Sequence, residues 1–296
     1  MRFGDQRESG NVEDRRGARI TGGGVAVGGI GTVLIILLGL FLGVDPATLL
    51  NVIEGGGSPQ QQVPTRTVDN PWAGDGQRAP QAGDPQRRFV AQVLGSTEDT
   101  WRGVFRASGQ TYQEPALVLF SGATQSACGF AQAAVGPFYC PRDRKLYLDM
   151  DFLHQLQARL GAGGDFAEAY VIAHEVGHHV QTLLGITQQA AELRARGDQD
   201  LDRQVSVRVE LQADCFAGVW ANRANAARGI LDRGDIEQGI AAAGALGDDR
   251  IQMRTRGYVV PESFTHGSAA QRVRWFRTGL ESGEVRQCDT FGAARL

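Results

Sequence analysis

Two histidines and a glutamate near the middle of the sequence have the spacing of a metal-dependent hydrolase site. Residues 174–178 read HEVGH, inside the stretch FAEAYVIAHEVGHHVQTLLG at 166–185. On a helix, His174 and His178 share one face and are close enough for both imidazoles to reach one metal ion. Glu175 would lie beside the first histidine, where its carboxylate can take a proton from a metal-bound water. The spacing therefore predicts a zinc site with Glu175 as the general base.

The residues around this motif predict that it is buried. They are apolar on nearly every side of the helix, so polar side chains inside it would need partners. A pair of core histidines satisfied by hydrogen bonds is the alternative, and it requires three polar residues to fall at ligand spacing by coincidence. The longer HExxHxxGxxH motif is excluded, because Gln181 and Leu184 stand at its glycine and last histidine positions.

A third metal ligand must come from another part of the chain, since a catalytic zinc usually has three protein ligands and one position for water. Residues 208–220, RVELQADCFAGVW, place Glu210 and Asp214 four residues apart on one face of an apolar helix. We expect Glu210 to bind the zinc and Asp214 to accept the free N–H of a ligating histidine. The alternative is an exposed acidic pair that faces nearby arginines.

Metal-assisted hydrolysis at a carbonyl group also needs a donor that stabilises the oxyanion of the reaction. His266 in FTHGS is one candidate and Tyr258 is another. An equally weighted alternative is that His266 stabilises the turn at 265–268. His154 and His179 have no matching partners in the sequence, and we interpret them as structural or exposed.

The elements that position these residues are predicted to form a mostly helical α+β domain at 88–296. Helical periodicity begins at Phe89, and short strands are predicted at Leu117–Phe120 and Lys145–Asp149. Long helical patterns follow at 151–160, 165–185, 200–228, 235–253 and 268–280. The size is within the usual range for one domain.

Several motifs in this region resemble the bacterial neutral zinc metallopeptidase family, a group of membrane-anchored proteins known mainly by sequence. They are HEVGHHVQ, ELQADCFAGVW, YCPRDRKLYLD, GDDRIQ, FTHGSAAQR and QCDTF, which together cover most of residues 89–296. The resemblance implies a zincin-like peptidase fold with a zinc cofactor. It also implies His174, His178 and Glu210 as ligands, with Glu175 as base.

The ExxxD pair downstream of the first motif also resembles the gluzincin class. In that class an edge strand above the active helix binds the substrate in extended form. Leu146–Asp149 is the candidate for this strand, and it would add the substrate peptide by backbone pairing. A strand that only packs against a helix is the alternative.

An apolar run precedes the predicted domain. Residues 25–44 contain no charge over 20 residues, enough to cross the roughly 30 Å hydrocarbon layer as a helix. Arginines precede the run, whereas the first basic residue after it is Arg66, so the tail at 1–24 is predicted to be cytoplasmic and the rest extracytoplasmic. A cleaved signal peptide is the alternative. Residues 45–87 are predicted to be a flexible linker, since proline is frequent and apolar residues are few.

The four cysteines are expected to form two disulfides on the predicted extracytoplasmic side, where thiols tend to be oxidised. Cys128 with Cys140 would close a short loop, which leaves Cys215 to pair with Cys288. The absence of CxxC spacing argues against a structural zinc cluster. Four buried free thiols are the alternative.

The composition of the whole chain is consistent with these predictions. It has 296 residues, 30 Lys+Arg against 33 Asp+Glu, and 42% hydrophobic residues, values typical of a globular protein. The net charge of −3 argues against nucleic acid as a partner. The sequence thus predicts a zinc-dependent endopeptidase, anchored in the cell membrane, that hydrolyses peptide or protein substrates in the cell envelope. The alternative is a non-catalytic, zinc-stabilised binding or scaffold module, against which Glu175 argues. The oligomeric state is left open.

Overall fold

The protein is represented by a computed structural model that describes residues 1–4, 6–17, 83–132, 136–150, 152–153 and 163–296. The predicted transmembrane run at 25–44 lies outside these ranges. The same is true of most of the predicted linker at 45–87 and most of the predicted helix at 151–160, including His154.

The described part of the chain is mostly helical with small sheets, as the α+β prediction expected. Its helices are α1 (Pro85–Ala107), α2 (Asp165–Leu183), α3 (Ile186–Arg196), α4 (Gln199–Arg228), α5 (Asp235–Ala245), α6 (Asp248–Arg256) and α7 (Ala269–Ser282). Short 3-10 helices lie at Pro261–Ser263 and Val285–Cys288. The predicted helices at 165–185, 200–228 and 268–280 are confirmed as α2, α4 and α7.

Two helix boundaries differ from the prediction for local reasons. Helix α1 begins before Phe89, because the Asp84 side chain caps it and Pro85 fits the first turn. The single helix predicted at 235–253 is two helices, since the chain is extended at Gly247 between α5 and α6.

The sheet order explains which backbone is open to a ligand. The strands β1 (Val12–Asp14), β2 (Ala116–Phe120), β6 (Lys145–Asp149) and β5 (Phe138–Cys140) lie side by side in that order. The pairs β1–β2 and β2–β6 are parallel, and β5 is antiparallel to β6. A separate hairpin consists of β3 (Ala123–Ser126) and β4 (Gly129–Gln132).

The predicted strands are confirmed, but the role given to Leu146–Asp149 is wrong. Strand β6 is paired on both sides, because Tyr147 lies opposite both Val118 and Phe138. The backbone of Lys145–Tyr147 is therefore paired on both sides, whereas Leu148 and Asp149 pair with β2. Among the described strands, the edge beside α2 is β5, whose Tyr139 contacts His179 of α2.

Helix α2 lies in the core and is covered on most faces. Phe166 stacks on Trp220 of α4 with ring centroids 6.1 Å apart, and Tyr170 meets Phe276 of α7 edge-on at 5.2 Å. All four side chains are buried. Burying each contributes about 1.5–3 kcal/mol, so the helix that carries the HEVGH motif is rigidly held.

Both predicted disulfides are confirmed. Cys128–Cys140 links the β3–β4 turn to β5, and Cys215–Cys288 links α4 to the C-terminal 3-10 helix. The second closes a loop with a sequence separation of 73 residues. In the chain-entropy model such a loop stabilises the folded state by about 4 kcal/mol.

The predicted membrane anchor, the membrane as a partner, and the extracytoplasmic location derived from them are wrong. Within the described ranges, no helix has the length and apolar character needed to cross a membrane. Val12–Asp14 pair with Leu117–Leu119 in one sheet, so the predicted cytoplasmic tail shares a sheet with the predicted extracytoplasmic domain.

Candidate metal centre

Three donor atoms from α2 and α4 converge on one point. Nε2 of His174 lies 3.2 Å from Oε2 of Glu210, and Nε2 of His178 lies 3.5 Å from Oε1 of the same carboxylate. The three ligand atoms all lie within 4.8 Å of one another. Donor atoms around a tetrahedral zinc are roughly 3.3–3.5 Å apart. The two measured distances, each to a different oxygen of Glu210, are close to this range, so the two imidazoles and the carboxylate fit a zinc ion.

The close approach of α2 and α4 brings the ligands together. Gly177 lies between the two histidines in sequence and faces Ala213 of α4. A Cβ at position 177 would lie 2.9 Å from the Ala213 carbonyl oxygen. A larger residue would hold the helices apart, so glycine at 177 sets the distance between the histidine pair and Glu210.

Each ligating histidine is oriented through its other ring nitrogen. Nδ1 of His174 lies 2.9 Å from Oδ1 of Asp214, and Nδ1 of His178 lies 2.9 Å from Oε1 of Gln181. The amide of Gln181 in turn donates to the Val209 carbonyl at 2.7 Å. Protons held on both Nδ1 atoms leave the Nε2 lone pairs directed at the metal position.

Asp214 is fully buried and receives more than the predicted histidine contact. Arg272 of α7 donates to both of its oxygens, from Nε at 2.8 Å and from Nη2 at 2.9 Å. Tyr170 also donates its hydroxyl proton to Oδ1. Burial alone would raise the pKa of Asp214, but Arg272 and His174 outweigh it and lower that pKa to about 2. Asp214 is thus an anion held in one orientation.

The remaining electrostatics favour a cation at this point. Burial opposes charge on Glu210, yet the two imidazoles hold its pKa well below the usual range. Burial also opposes charge on His174, but Asp214 and Glu210 raise its pKa to about 10. The cluster therefore attracts positive charge, as a proton or as a metal ion.

Glu175 lies next to these ligands without joining them. Its side chain is partly exposed, and no described side chain forms a hydrogen bond with it. Burial raises its pKa, while the nearby histidines lower it to a smaller extent. A carboxylate that is free to bind and release a proton suits a general base.

The other predicted site residues differ in their placement. Three backbone N–H groups at 265–267 donate to Oδ2 of Asp248, and Nδ1 of His266 lies 3.1 Å from Oδ1. Gly267 packs against α4 at Leu211, next to Glu210. The hydrogen bond to Asp248 raises the pKa of His266, and the charge of the nearby Glu210 adds to this rise.

Tyr258 has no described contact with the metal ligands and is 60% exposed. His179 is buried between the Tyr139 hydroxyl, 3.1 Å from Nδ1, and the Gln113 carbonyl, 2.6 Å from Nε2. Its burial lowers its pKa to about 4. His179 thus has the contacts of a structural residue, as we interpreted it.

Sequence reasoning missed three residues that hold the site: Gln181, Asp248 and Arg272. Gln181 was considered only as a mismatch to a longer motif. Arg272 and Asp248 lie inside the motifs FTHGSAAQR and GDDRIQ, so the signal was present, but their partners are distant in sequence.

Comparison with known proteins agrees with this geometry. A family model described as "Putative neutral zinc metallopeptidase" matches residues 1–291. The uncharacterized protein YpfJ of Escherichia coli K12 is 43% identical over 304 residues, covering 99% of both chains. The uncharacterized protein Rv2575 of Mycobacterium tuberculosis H37Rv is 43% identical over 263 residues, covering 84% of this chain and 86% of its own. No solved structure was found to match.

The family match extends over nearly the whole chain and includes both helices of the metal centre, which confirms the resemblance seen in the motifs. The chain belongs to the neutral zinc metallopeptidase family.

Proposed function

We propose that this protein is a zinc-dependent endopeptidase. The observation that carries the proposal is the convergence of His174, His178 and Glu210 beside a free carboxylate at Glu175. Zinc bound there would lower the pKa of a coordinated water to about 7 and polarise the substrate carbonyl. The protein's own residues would bind the substrate and move the protons.

Glu175 is proposed to take the proton from the attacking water. The raised pKa of Glu175 is closer to neutral pH than that of an ordinary glutamate, so the carboxylate can accept a proton and later release it. The same carboxylate would then deliver that proton to the nitrogen of the leaving amine. The water oxygen forms a bond to the carbonyl carbon, and the peptide C–N bond then breaks. One water is consumed for each peptide bond cleaved.

His266 is proposed to donate a hydrogen bond to the substrate carbonyl oxygen as negative charge develops on it. Its Nδ1 is held by Asp248, which leaves Nε2 available as a donor. The raised pKa of His266 favours the protonated ring and a stronger donor.

The substrate is proposed to bind in extended form along β5. This strand uses one side of its backbone for β6, and among the described residues its other side is an edge beside α2. A peptide paired along an edge leaves both of its ends free. This geometry supports cleavage within a chain rather than removal of terminal residues.

The proposal is tested with the purified full-length chain, loaded with zinc and incubated with a mixed peptide library. We expect one zinc per chain and internal cleavage. Glu175→Gln keeps the shape of the side chain but removes the base, so kcat should fall by about 10²–10⁴ with zinc content unchanged. Glu192→Gln, on the exposed face of α3, is the matched control and should cleave normally.

Two results would count against the mechanism. Equal cleavage by Glu175→Gln and Glu192→Gln would remove Glu175 as the base. One tightly bound zinc per chain with no cleavage of any peptide or protein would instead support the non-catalytic, zinc-stabilised module.

A further inference from the structure

The N-terminal segment, defined as residues 6–16, lies in a groove between α1 and the outer edge of β2. Ser9 N donates to the Ala91 carbonyl at 2.9 Å, so the segment contacts α1 through its backbone. Leu117 N donates to the Asn11 carbonyl at 2.8 Å, and Arg15 N donates to the Leu119 carbonyl at 2.8 Å. Between these two bonds the chain is the parallel strand β1. The segment therefore extends the sheet by one strand.

Alternate side chains of the segment meet one buried carboxylate. Arg7, Ser9 and Asn11 all donate to Glu98 of α1, at 2.6, 2.5 and 2.8 Å. In an extended chain every second side chain points to the same face, so this is one face of the segment. The Glu98 side chain is 0% exposed. Its one other described ion-pair partner is Arg102 at 3.7 Å.

The far end of the segment is held by a second set of charges. Lys145 of β6 donates to Glu13 at 2.5 Å. Arg16 binds Asp14 within the segment and also Asp84 at 2.5 Å, and Asp84 is the residue that caps α1. Backbone pairing with side chains read at alternate positions is the pattern by which proteins bind extended peptides.

The groove is shaped to admit this backbone. Gly95 of α1 faces the segment, and a Cβ there would lie 2.6 Å from the Arg7 carbonyl oxygen and 3.3 Å from Ser9 N. Gly103, two turns further along the same helix, has nothing within 4 Å of the equivalent position. Glycine at 95 thus permits a contact that any side chain would block.

We propose that this groove is a peptide-docking site, separate from the metal centre, and that residues 6–16 occupy it as a separable strand. The chemistry it selects is an extended peptide with Arg, Ser and Asn at alternate positions, followed by an acidic residue two positions later. The folded peptidase domain is then bipartite. It includes the described residues up to Gly17, among them the buried Phe3, together with those from Gly83 onward, rather than the predicted 88–296 alone. Covalent connection between the two parts is not required for docking.

The test uses the full-length chain with a recognition sequence for a specific protease inserted after Gly23. Cleavage there gives a short fragment that contains the N-terminal segment but not the apolar run at 25–44. We expect the fragment to co-elute with the rest of the chain in size-exclusion chromatography at micromolar concentration. Gly103→Ala should retain it equally, whereas Gly95→Ala should release it.

Arg7→Ala tests docking of the segment without altering α1, because it removes the ion pair between Arg7 and Glu98. It should weaken retention of the fragment at least tenfold, and it remains decisive if Gly95→Ala fails to fold. The proposal is overturned if the fragment separates from the unmodified cut protein. It is equally overturned if Gly95→Ala folds and retains the fragment as well as Gly103→Ala does, or if Arg7→Ala leaves retention unchanged. Zinc content and peptide cleavage by the uncut chain are separate readouts, so failure here would leave the proposed peptidase activity standing.

Discussion

Replacing Arg272 with methionine tests whether the buried ion pair behind the metal centre holds it in shape. Arg272 contacts both oxygens of Asp214 through Nε and Nη2, and both side chains are almost completely buried. Methionine fills part of the same space but leaves the carboxylate without its cation. Breaking one partner of a buried pair costs about 3–5 kcal/mol. Arg272→Met should therefore lower the free energy of unfolding by that amount at pH 7.

The pH dependence separates loss of the ion pair from simple loss of packing. The pKa of Asp214 is about 2 in the folded protein, below the ordinary 3.8 of an aspartate side chain. Asp214 therefore contributes about 2 kcal/mol of stability above pH 4. That stability disappears as the pH falls through about 2. In Arg272→Met burial is no longer opposed by the arginine, so the folded pKa of Asp214 should rise. The variant should then recover part of its lost stability as the pH falls from 7 toward 4.

The assay is urea unfolding of the metal-free full-length chain at several pH values, together with zinc affinity measured by chelator competition. Arg272→Lys keeps the charge but cannot make both hydrogen bonds. Its free energy of unfolding should therefore lie between those of Arg272→Met and the unmodified protein. Zinc affinity should fall about 10–100-fold in Arg272→Met, because Asp214 no longer fixes the His174 ring. The positioning role of Arg272 would be refuted if Arg272→Met had unchanged zinc affinity and if its stability varied with pH in parallel with that of the unmodified protein.

Two further predictions address the same centre. Asp248→Asn removes the anion that raises the pKa of His266. With protonated His266 assisting catalysis, the fall of kcat/KM at alkaline pH should move to lower pH in this variant. An unshifted pH profile of kcat/KM would exclude that role. Gly177→Ala should push α4 away from α2, since the new Cβ would meet the Ala213 carbonyl at 2.9 Å. Zinc ligand distances tolerate only about 0.2 Å, so zinc affinity measured by competition should fall more than tenfold, whereas Gly103→Ala should leave it unchanged.

The two helices of the candidate metal centre were predictable because each carries its signal within one turn. HEVGH and the ExxxD pair put their polar residues on one face of an otherwise apolar helix, and that pattern alone predicts which side chains meet. The disulfides followed from the short separation of Cys128 and Cys140, which left one other pair. The helix faces follow from residues that are close in sequence, and the second disulfide follows because two cysteines are left once the first pair is assigned.

The supporting contacts were not predictable because they join residues that are distant in sequence. Arg272 is 58 residues from Asp214, and nothing near either residue indicates the other. Strand β5 has only three residues, too few to show a period. The N-terminal segment was predicted to belong to a cytoplasmic tail, because its arginines precede the apolar run. Its Arg7 instead forms an ion pair with Glu98, which lies 91 residues away in the sequence.

The charges around the metal centre account for the kind of ion it suits. Glu175, Glu210 and Asp214 contribute three negative charges when ionised, and Arg272 contributes one positive charge within the same group of contacts. The net charge of these four side chains is then −2, which one divalent cation would neutralise. Protons on the histidines can supply the same charge, which is why the pKa of His174 rises to about 10. A divalent ion must displace those protons, so metal binding to this cluster is coupled to proton release and grows stronger as the pH rises.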